Sequence, residues 1–117
     1  MQKIPPNIQH EIQQFQQMEQ QYQMVAAQKQ KLSIELNETT LALQELEKEA
    51  DIVYKSIGSI LVKTDKEELK KELGEKKENL DVRLKTLERQ EQRLLEKLKN
   101  MRAKIEQMLG SAGVQAG

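Results

Sequence analysis

Apolar residues recur every three or four positions through two long stretches of this 117-residue chain. With Ile8 placed at heptad position a, ten of the thirteen a and d positions up to Ala50 are apolar. With Leu73 placed at position d, nine of the eleven a and d positions up to Met108 are apolar. Both stretches keep the 3.5-residue period that a left-handed coiled coil requires. The pattern predicts a mainly α protein with helices over 8–50 and 66–109.

The composition fits long helices better than a globular core. Only 37% of the residues are hydrophobic and only three are aromatic, and charged residues make up 32%. The 19 basic and 19 acidic residues balance, so we expect neither a nucleic acid nor a membrane partner. Cysteine is absent, and there is no apolar run of the length that a signal peptide or a membrane span needs. We therefore expect a cytoplasmic protein.

The two predicted helices have nearly equal lengths, which favours a long antiparallel two-helix coiled-coil hairpin. If facing residues have numbers that sum to 116, each a position of the first helix meets a d position of the second. Ile8 then faces Met108, and Leu43 faces Leu73. The a and d positions of both helices, here called the seam, would form one continuous interface.

Two charged residues, Lys29 and Glu91, fall at seam positions in adjacent layers. They could pair within the seam and fix the alignment of the helices. Alternatively, both side chains reach out to solvent.

Capping residues mark the predicted helix ends. Asn7, which follows two prolines, is a candidate N-cap for the first helix. Asp65 and Glu68 make a capping box for the second helix. Gly110 is expected to end that helix and to begin a flexible tail over 110–117. The whole chain, 1–117, would then be one structural unit.

The segment between the helices, 51–65, is rich in β-branched residues around Gly58 and Ser59. This pattern predicts a β-hairpin with strands near 52–57 and 60–64. Apolar side chains would lie on both faces, and a lone hairpin of this kind is marginal in water. We expect hairpins of several subunits to join into an intersubunit β-barrel. The predicted assembly residues are Ile52, Val53, Tyr54, Ile57, Gly58, Ile60, Leu61 and Val62. The alternative is a loop that packs against the helix ends of its own chain.

Sequence segments along the whole chain resemble those of the β-type subunits of the archaeal prefoldin family. The similar segments are IPPNIQHEIQQFQQMEQQYQMV at the start, YKSIGSILVK in the hairpin and TLERQEQRLLEKL in the second helix. The single hairpin matches the β type, since the α type carries two.

The resemblance implies a hexamer of two α-type and four β-type subunits, with hairpins joined in a double β-barrel and six coiled coils hanging from it. It further implies an ATP-independent chaperone that holds unfolded proteins between the coiled-coil tips. Such a chaperone passes its clients to a group II chaperonin.

The chain termini, at the predicted tips, carry apolar residues that are candidates for client contact. These are Ile4, Ile8, Ile12, Ile105, Met108 and Leu109. Fraying of the last helical turns would leave such side chains partly available. Alternatively, they only seal the open end of the helical hairpin. The eleven glutamines among the first thirty residues could tolerate client contact, although a solvated helix face explains them better.

No catalytic constellation, metal site or cofactor site is predicted. His10 is the only histidine, there is no cysteine, and no glycine-rich loop precedes a helix. An enzyme is therefore not expected. The competing hypothesis to a chaperone is a passive coiled-coil scaffold that uses the hairpin only for oligomerization.

Overall fold

The structure, a computed structural model, describes residues 4–48 and 51–113. Two long helices flank a two-stranded antiparallel sheet, which confirms the predicted architecture. The elements in chain order are α1 (Pro6–Leu46), β1 (Ile52–Ile57), β2 (Ile60–Asp65) and α2 (Lys66–Ser111). Within the described residues, neither helix is long and apolar enough to cross a membrane.

The burial predicted for the a and d positions is confirmed at every such position that the structure describes. All a and d side chains between Ile8 and Leu46 and between Leu73 and Met108 are buried or half-buried. Thr39, a polar residue at a d position, is only 4% exposed. Its hydroxyl donates a hydrogen bond of 2.8 Å to the carbonyl of Glu35, which satisfies the polar group without a partner across the seam. The predicted seam residue Ala50 lies outside the described residues.

The predicted start of α1 at Ile8, with Asn7 as its cap, is wrong. The helix begins at Pro6, and the carbonyl of Pro5 accepts hydrogen bonds of 3.0 Å from the amides of Ile8 and Gln9. Proline suits the first helical position because its ring fixes φ and because an amide there would have no partner within the helix. Asn7 therefore lies inside the first turn.

The predicted end of α1 at residue 50 is also wrong, since the helix ends at Leu46. Residues 47 and 48 form a turn in which the amide of Lys48 bonds to the carbonyl of Glu45 at 3.1 Å. A bond to the third residue back, rather than the fourth, tightens the chain out of the α-helix.

At the other end, α2 continues through Gly110 to Ser111 instead of ending at residue 109. The amide of Ala112 still bonds to the carbonyl of Met108 at 3.0 Å. The backbone turns at Gly113, whose φ of 74° is the left-handed conformation common after a helix end. Residues 110 and 111 of the predicted tail are thus helical, and residues 114–117 lie outside the described part of the chain.

The hairpin has the predicted strands, with β2 one residue longer than expected. Its register pairs Ile52 with Asp65 and Ile57 with Ile60. The two-residue turn is Gly58-Ser59, and Gly58 has a φ of 60°. A positive φ at the first turn position is typical of a type II′ turn, which favours glycine there.

The predicted cap at Asp65 is confirmed. Its carboxylate accepts a hydrogen bond of 2.9 Å from the amide of Glu67 in the first turn of α2. The amide of Lys66 bonds to the carbonyl of Asp51 at 2.7 Å. The last residue of β2 is therefore also the cap of α2, and no linker separates the two elements.

The described residues fall into two compact units. The terminal unit contains residues 4–28 and 87–113, and the hairpin unit contains residues 29–48 and 51–86. A buried cluster of Ile8, Ile105 and Leu109 forms the core of the terminal unit. The core of the hairpin unit includes Leu46, Val53 and Leu69, and Leu73 packs against it.

Candidate functional site

The hairpin exposes a large share of its apolar side chains. Leu61 is 71% exposed, Ile60 64% and Tyr54 62%. Exposed large apolar side chains grouped on one element mark an interaction surface rather than ordinary scatter. The exposed apolar residues of the hairpin, here called the hairpin surface, are Ile52, Tyr54, Ile57, Ile60, Leu61 and Val62.

Apolar residues lie on both faces of the hairpin, as predicted. In an antiparallel pair, directly opposed residues share a face, and successive residues along a strand alternate between faces. The register therefore places Ile52, Tyr54 and Leu61 on one face. The other face carries Val53, Ile57, Ile60 and Val62.

Val53 is an exception among the predicted assembly residues. It is only 9% exposed, because it packs in the cluster with Leu46 and Leu69. The helices therefore cover the hairpin at this position, although Val53 was predicted as an assembly residue. β1 begins close to the end of α1 and to the start of α2, so the base of the hairpin lies over one leucine of each helix. Val53 stabilises the subunit itself.

Ion pairs tie this part of the hairpin unit together. Nζ of Lys55 in β1 lies 3.0 Å from Oε2 of Glu72 in α2. Nζ of Lys70 lies 2.7 Å from Oε1 of Glu47, which directly follows α1. The hydrogen bond from Lys70, together with its charge, holds the pKa of Glu47 below its ordinary value. The same hydrogen bond raises the pKa of Lys70. Side-chain pairs thus add to the leucine contacts around Val53.

The predicted client-binding residues come together in the terminal unit. Ile8 is 2% exposed, and Ile105 and Leu109 are each 9% exposed. The other three, Ile4, Ile12 and Met108, are partly buried and pack against this cluster. Leu109 is therefore a core residue of the terminal unit. It points into the cluster because α2 is still helical at this position.

These six residues, here called the terminal cluster, divide by accessibility. The three buried side chains support the view that the cluster closes the helical pair. Only the half-buried side chains of Ile4, Ile12 and Met108 offer apolar surface without a change in structure. Client contact at the terminal cluster stays a prediction.

A groove in the terminal unit was missed by the sequence reasoning. It has a volume of about 390 Å³, and its lining includes Met24, Val25, Leu94, Arg93 and Lys97. Met24 is 64% exposed, although it is apolar and lies outside the seam. An apolar residue at a non-seam position was the signal that could have drawn attention to this surface.

The described residues contain no group of three or more histidine, cysteine, aspartate or glutamate side chains able to hold a metal ion. His10 is exposed and contacts Gln14, with 3.1 Å between its Nε2 and the amide nitrogen.

Comparison with known proteins connects this architecture to a family. Residues 9–112 match the family model described as "Prefoldin subunit". The chain belongs to the prefoldin subunit family. Prefoldin subunits are chaperones rather than enzymes, so membership supports a chaperone-type role for this chain.

The similar members are β-type prefoldin subunits, which confirms the predicted type. "Prefoldin subunit beta" of Thermococcus gammatolerans is 49% identical, over 93% of this chain and 95% of that protein. "Prefoldin subunit beta" of Pyrococcus furiosus is 47% identical over the same shares of the two chains. The crystal structure of the prefoldin beta subunit from Thermococcus strain KS-1 matches with a TM-score of 0.81 and 48% identity. This match covers 93% of this chain and 97% of that chain.

Proposed function

We propose that the chain is one subunit of an ATP-independent chaperone that holds unfolded proteins and passes them to a group II chaperonin. Its hairpin surface joins the hairpins of sister subunits into a shared β-barrel. The assembled particle is a cytoplasmic hexamer of two α-type subunits and four copies of this β-type chain.

The observation that carries the proposal is the exposure of apolar side chains on both faces of a two-stranded sheet. Three of these side chains, Tyr54, Ile60 and Leu61, are more than 60% exposed. A two-stranded hairpin is marginally stable alone, and its unpaired edges invite further strands. Closure into a barrel with other hairpins removes the edges and buries the apolar side chains. Membership of a family of subunits supports the same conclusion.

Client binding is assigned to the terminal unit. The half-buried side chains of Ile4, Ile12 and Met108 offer apolar surface to an unfolded chain, and methionine adapts to irregular partners. Several weak contacts from different subunits would add up through their high effective concentration around one client. No nucleotide is needed, since holding a client requires only reversible association.

The assembly step is tested by mixing the purified chain with an α-type prefoldin subunit and measuring the mass of the particle. We expect a defined hexamer. A well-folded monomer at micromolar concentration in that mixture would contradict the proposed assembly.

The chaperone step is tested by adding the assembled particle to an enzyme that aggregates during refolding. We expect the particle to suppress aggregation without ATP, and we expect a passive scaffold to leave aggregation unchanged. Replacing Ile4 and Met108 by glutamine should weaken suppression without a large loss of stability. A matched control is Ile34→Gln, since Ile34 is 54% exposed and lies outside the terminal unit. Full suppression by the Ile4 and Met108 variant would remove the terminal cluster from client binding.

The competing scaffold function draws support from one observation. Half of the terminal cluster, namely Ile8, Ile105 and Leu109, is buried within the unit. The refolding assay separates the two functions, because a passive scaffold leaves aggregation unchanged.

A further inference from the structure

The lining of the groove beside Met24 includes residues that lie outside the seam. Val25 and Leu94 are seam residues and are half-buried, whereas Met24 lies off the seam and is 64% exposed. Three glutamines, Gln21, Gln28 and Gln90, complete the uncharged part of the lining. The volume of about 390 Å³ lies within the range of 300–1,000 Å³ typical of ligand-binding clefts.

All the charge in this lining is positive. Arg93 and Lys97 are its only charged residues. Among the described residues, neither side chain takes part in an ion pair. The nearby acidic residues of α2, such as Glu88 and Glu96, do not line the groove. Both cations are therefore available to a negatively charged partner.

The groove is continued by a second depression on the same unit, of about 540 Å³. Gln21 lines both depressions, and Met18 and Met101 add apolar surface to the second one. Its charged residues, Glu11 and Lys104, neutralise each other across 3.3 Å. Apolar residues and uncharged amides therefore form most of the combined lining, and Arg93 and Lys97 add unpaired positive charge in one part.

We infer that this groove binds extended segments of non-native polypeptide in which acidic side chains flank apolar ones. The inference rests on the proposed chaperone function and names a class of client segment that the terminal unit prefers. Methionine side chains adapt to many apolar partners. Glutamine amides both donate and accept hydrogen bonds, as an unpaired peptide backbone requires. Arg93 and Lys97 would form charge-assisted hydrogen bonds with carboxylates of the client.

A single-stranded nucleic acid would also be attracted to Arg93 and Lys97. Such ligands are usually held by aromatic side chains that stack on the bases. The lining of both depressions contains no aromatic residue. The groove therefore fits an acidic and apolar peptide better than a nucleic acid.

The inference is tested with three fluorescent peptides that carry the same leucines, flanked by aspartate, by asparagine or by lysine. Binding of each peptide to the full chain, assembled with its partner subunits, is measured by anisotropy at low and high salt. We expect the aspartate peptide to bind roughly fivefold tighter than the lysine peptide, as two exposed charge pairs would produce. This preference should shrink as salt screens the charges.

Variants assign the preference to the groove. In the double variant Arg93→Gln and Lys97→Gln, the aspartate and lysine peptides should bind with nearly equal affinity. The matched control is Arg89→Gln with Lys99→Gln, which removes the same charge from exposed residues that do not line the groove. The control should keep the preference. Met24→Gln should weaken binding of all three peptides.

Several results would overturn the inference. These are equal binding of the three peptides to the unsubstituted particle, survival of the preference in the Arg93 and Lys97 variant, or its loss in the control. Tighter binding of an oligonucleotide than of the aspartate peptide would also overturn it. The aggregation assay on the same preparations keeps the two proposals apart. A particle that suppresses aggregation without preferring acidic peptides overturns only the inference, and one that does not suppress aggregation overturns the proposed function.

Discussion

The ammonium group of Lys70 lies 2.7 Å from a carboxylate oxygen of Glu47, and this pair joins α2 to the residue that follows α1. The hydrogen bond between them is the largest cause of both the lowered pKa of Glu47 and the raised pKa of Lys70. The pair lies near the base of the hairpin, where Leu46 and Leu69 cover Val53. Its charge state is therefore coupled to the stability of the hairpin unit.

The pH dependence of stability should report on this pair. Since the pKa of Glu47 is lowered on folding, its stabilising contribution is complete above the ordinary glutamate pKa and is lost as the pH falls through the lowered value. Since the pKa of Lys70 is raised, its contribution is complete below the ordinary lysine pKa and is lost as the pH rises through the raised value. The full contribution is present at neutral pH.

We expect Glu47→Gln to lower the melting temperature slightly at neutral pH and to flatten its decline in acid. Circular dichroism melts across a pH series measure this effect. The control is Glu45→Gln, because the ion pair between Glu45 and Lys48 is longer, at 3.4 Å, and highly exposed. Identical pH profiles for Glu47→Gln and the unsubstituted chain would show that the pair contributes nothing.

Val53 should matter for the stability of a single subunit. Val53→Ala removes two buried methyl groups beside Leu46 and Leu69, and we expect a loss of about 2 kcal/mol in the free energy of unfolding. Chemical denaturation of the dilute chain, followed by helical circular dichroism, measures it. Val62→Ala makes the same change on the same face of the hairpin at a side chain that is 37% exposed. Val62→Ala should lower the free energy of unfolding much less than Val53→Ala does. Equal losses would contradict the assigned role of Val53.

Leu61 should matter for assembly and not for the subunit. It is 71% exposed, so Leu61→Gln should leave the unfolding of the dilute chain nearly unchanged. The same change should shift the mixture with an α-type subunit toward smaller particles, because a polar side chain would replace an apolar contact between hairpins. Sedimentation measures the particle mass. The control is Leu41→Gln, a change at a leucine that is 51% exposed on α1. If both variants assemble normally, the hairpin surface is not the assembly site.

Substitution by alanine should change stability in opposite directions at two glycines. Gly74 lies inside α2, and a Cβ atom there would meet no atom within 4 Å. We expect Gly74→Ala to stabilise the chain by about 0.5–1 kcal/mol, since glycine is a poor helix former. Gly58 has a φ of 60°, so Gly58→Ala should destabilise the hairpin by about 1–2 kcal/mol. Denaturation midpoints measure the first change, and amide exchange in β1 and β2 measures the second. A neutral Gly58→Ala would argue against the assigned turn.

The sequence predicts the interior of each element well, since heptad spacing requires only that helices bury one stripe. Every described seam position is buried or half-buried, including the polar Thr39. The helix ends were harder to predict because single hydrogen bonds decide them. Pro5 provides the carbonyl that starts α1, and Gly113, rather than Gly110, takes the left-handed conformation after α2.

The candidate surfaces were predicted less completely than the fold. A strand pattern identifies Tyr54 and Leu61 as apolar, but it does not reveal that Leu46 and Leu69 cover Val53. Likewise, heptad spacing places Leu109 off the seam and does not reveal that it packs with Ile8 and Ile105. The groove beside Met24 was not predicted, because its lining combines residues from two distant parts of the chain. Heptad analysis treats each helix separately.

The two junctions of the hairpin with the helices differ in a way that matters for engineering. Five residues separate Leu46 from Ile52, whereas Lys66 follows Asp65 with no residue between β2 and α2. A change in the twist of the second strand would therefore act directly on the first turn of the second helix. An inserted tag or reporter domain has room only at the first junction, because at the second it would separate Asp65 from the amide of Glu67 that it caps.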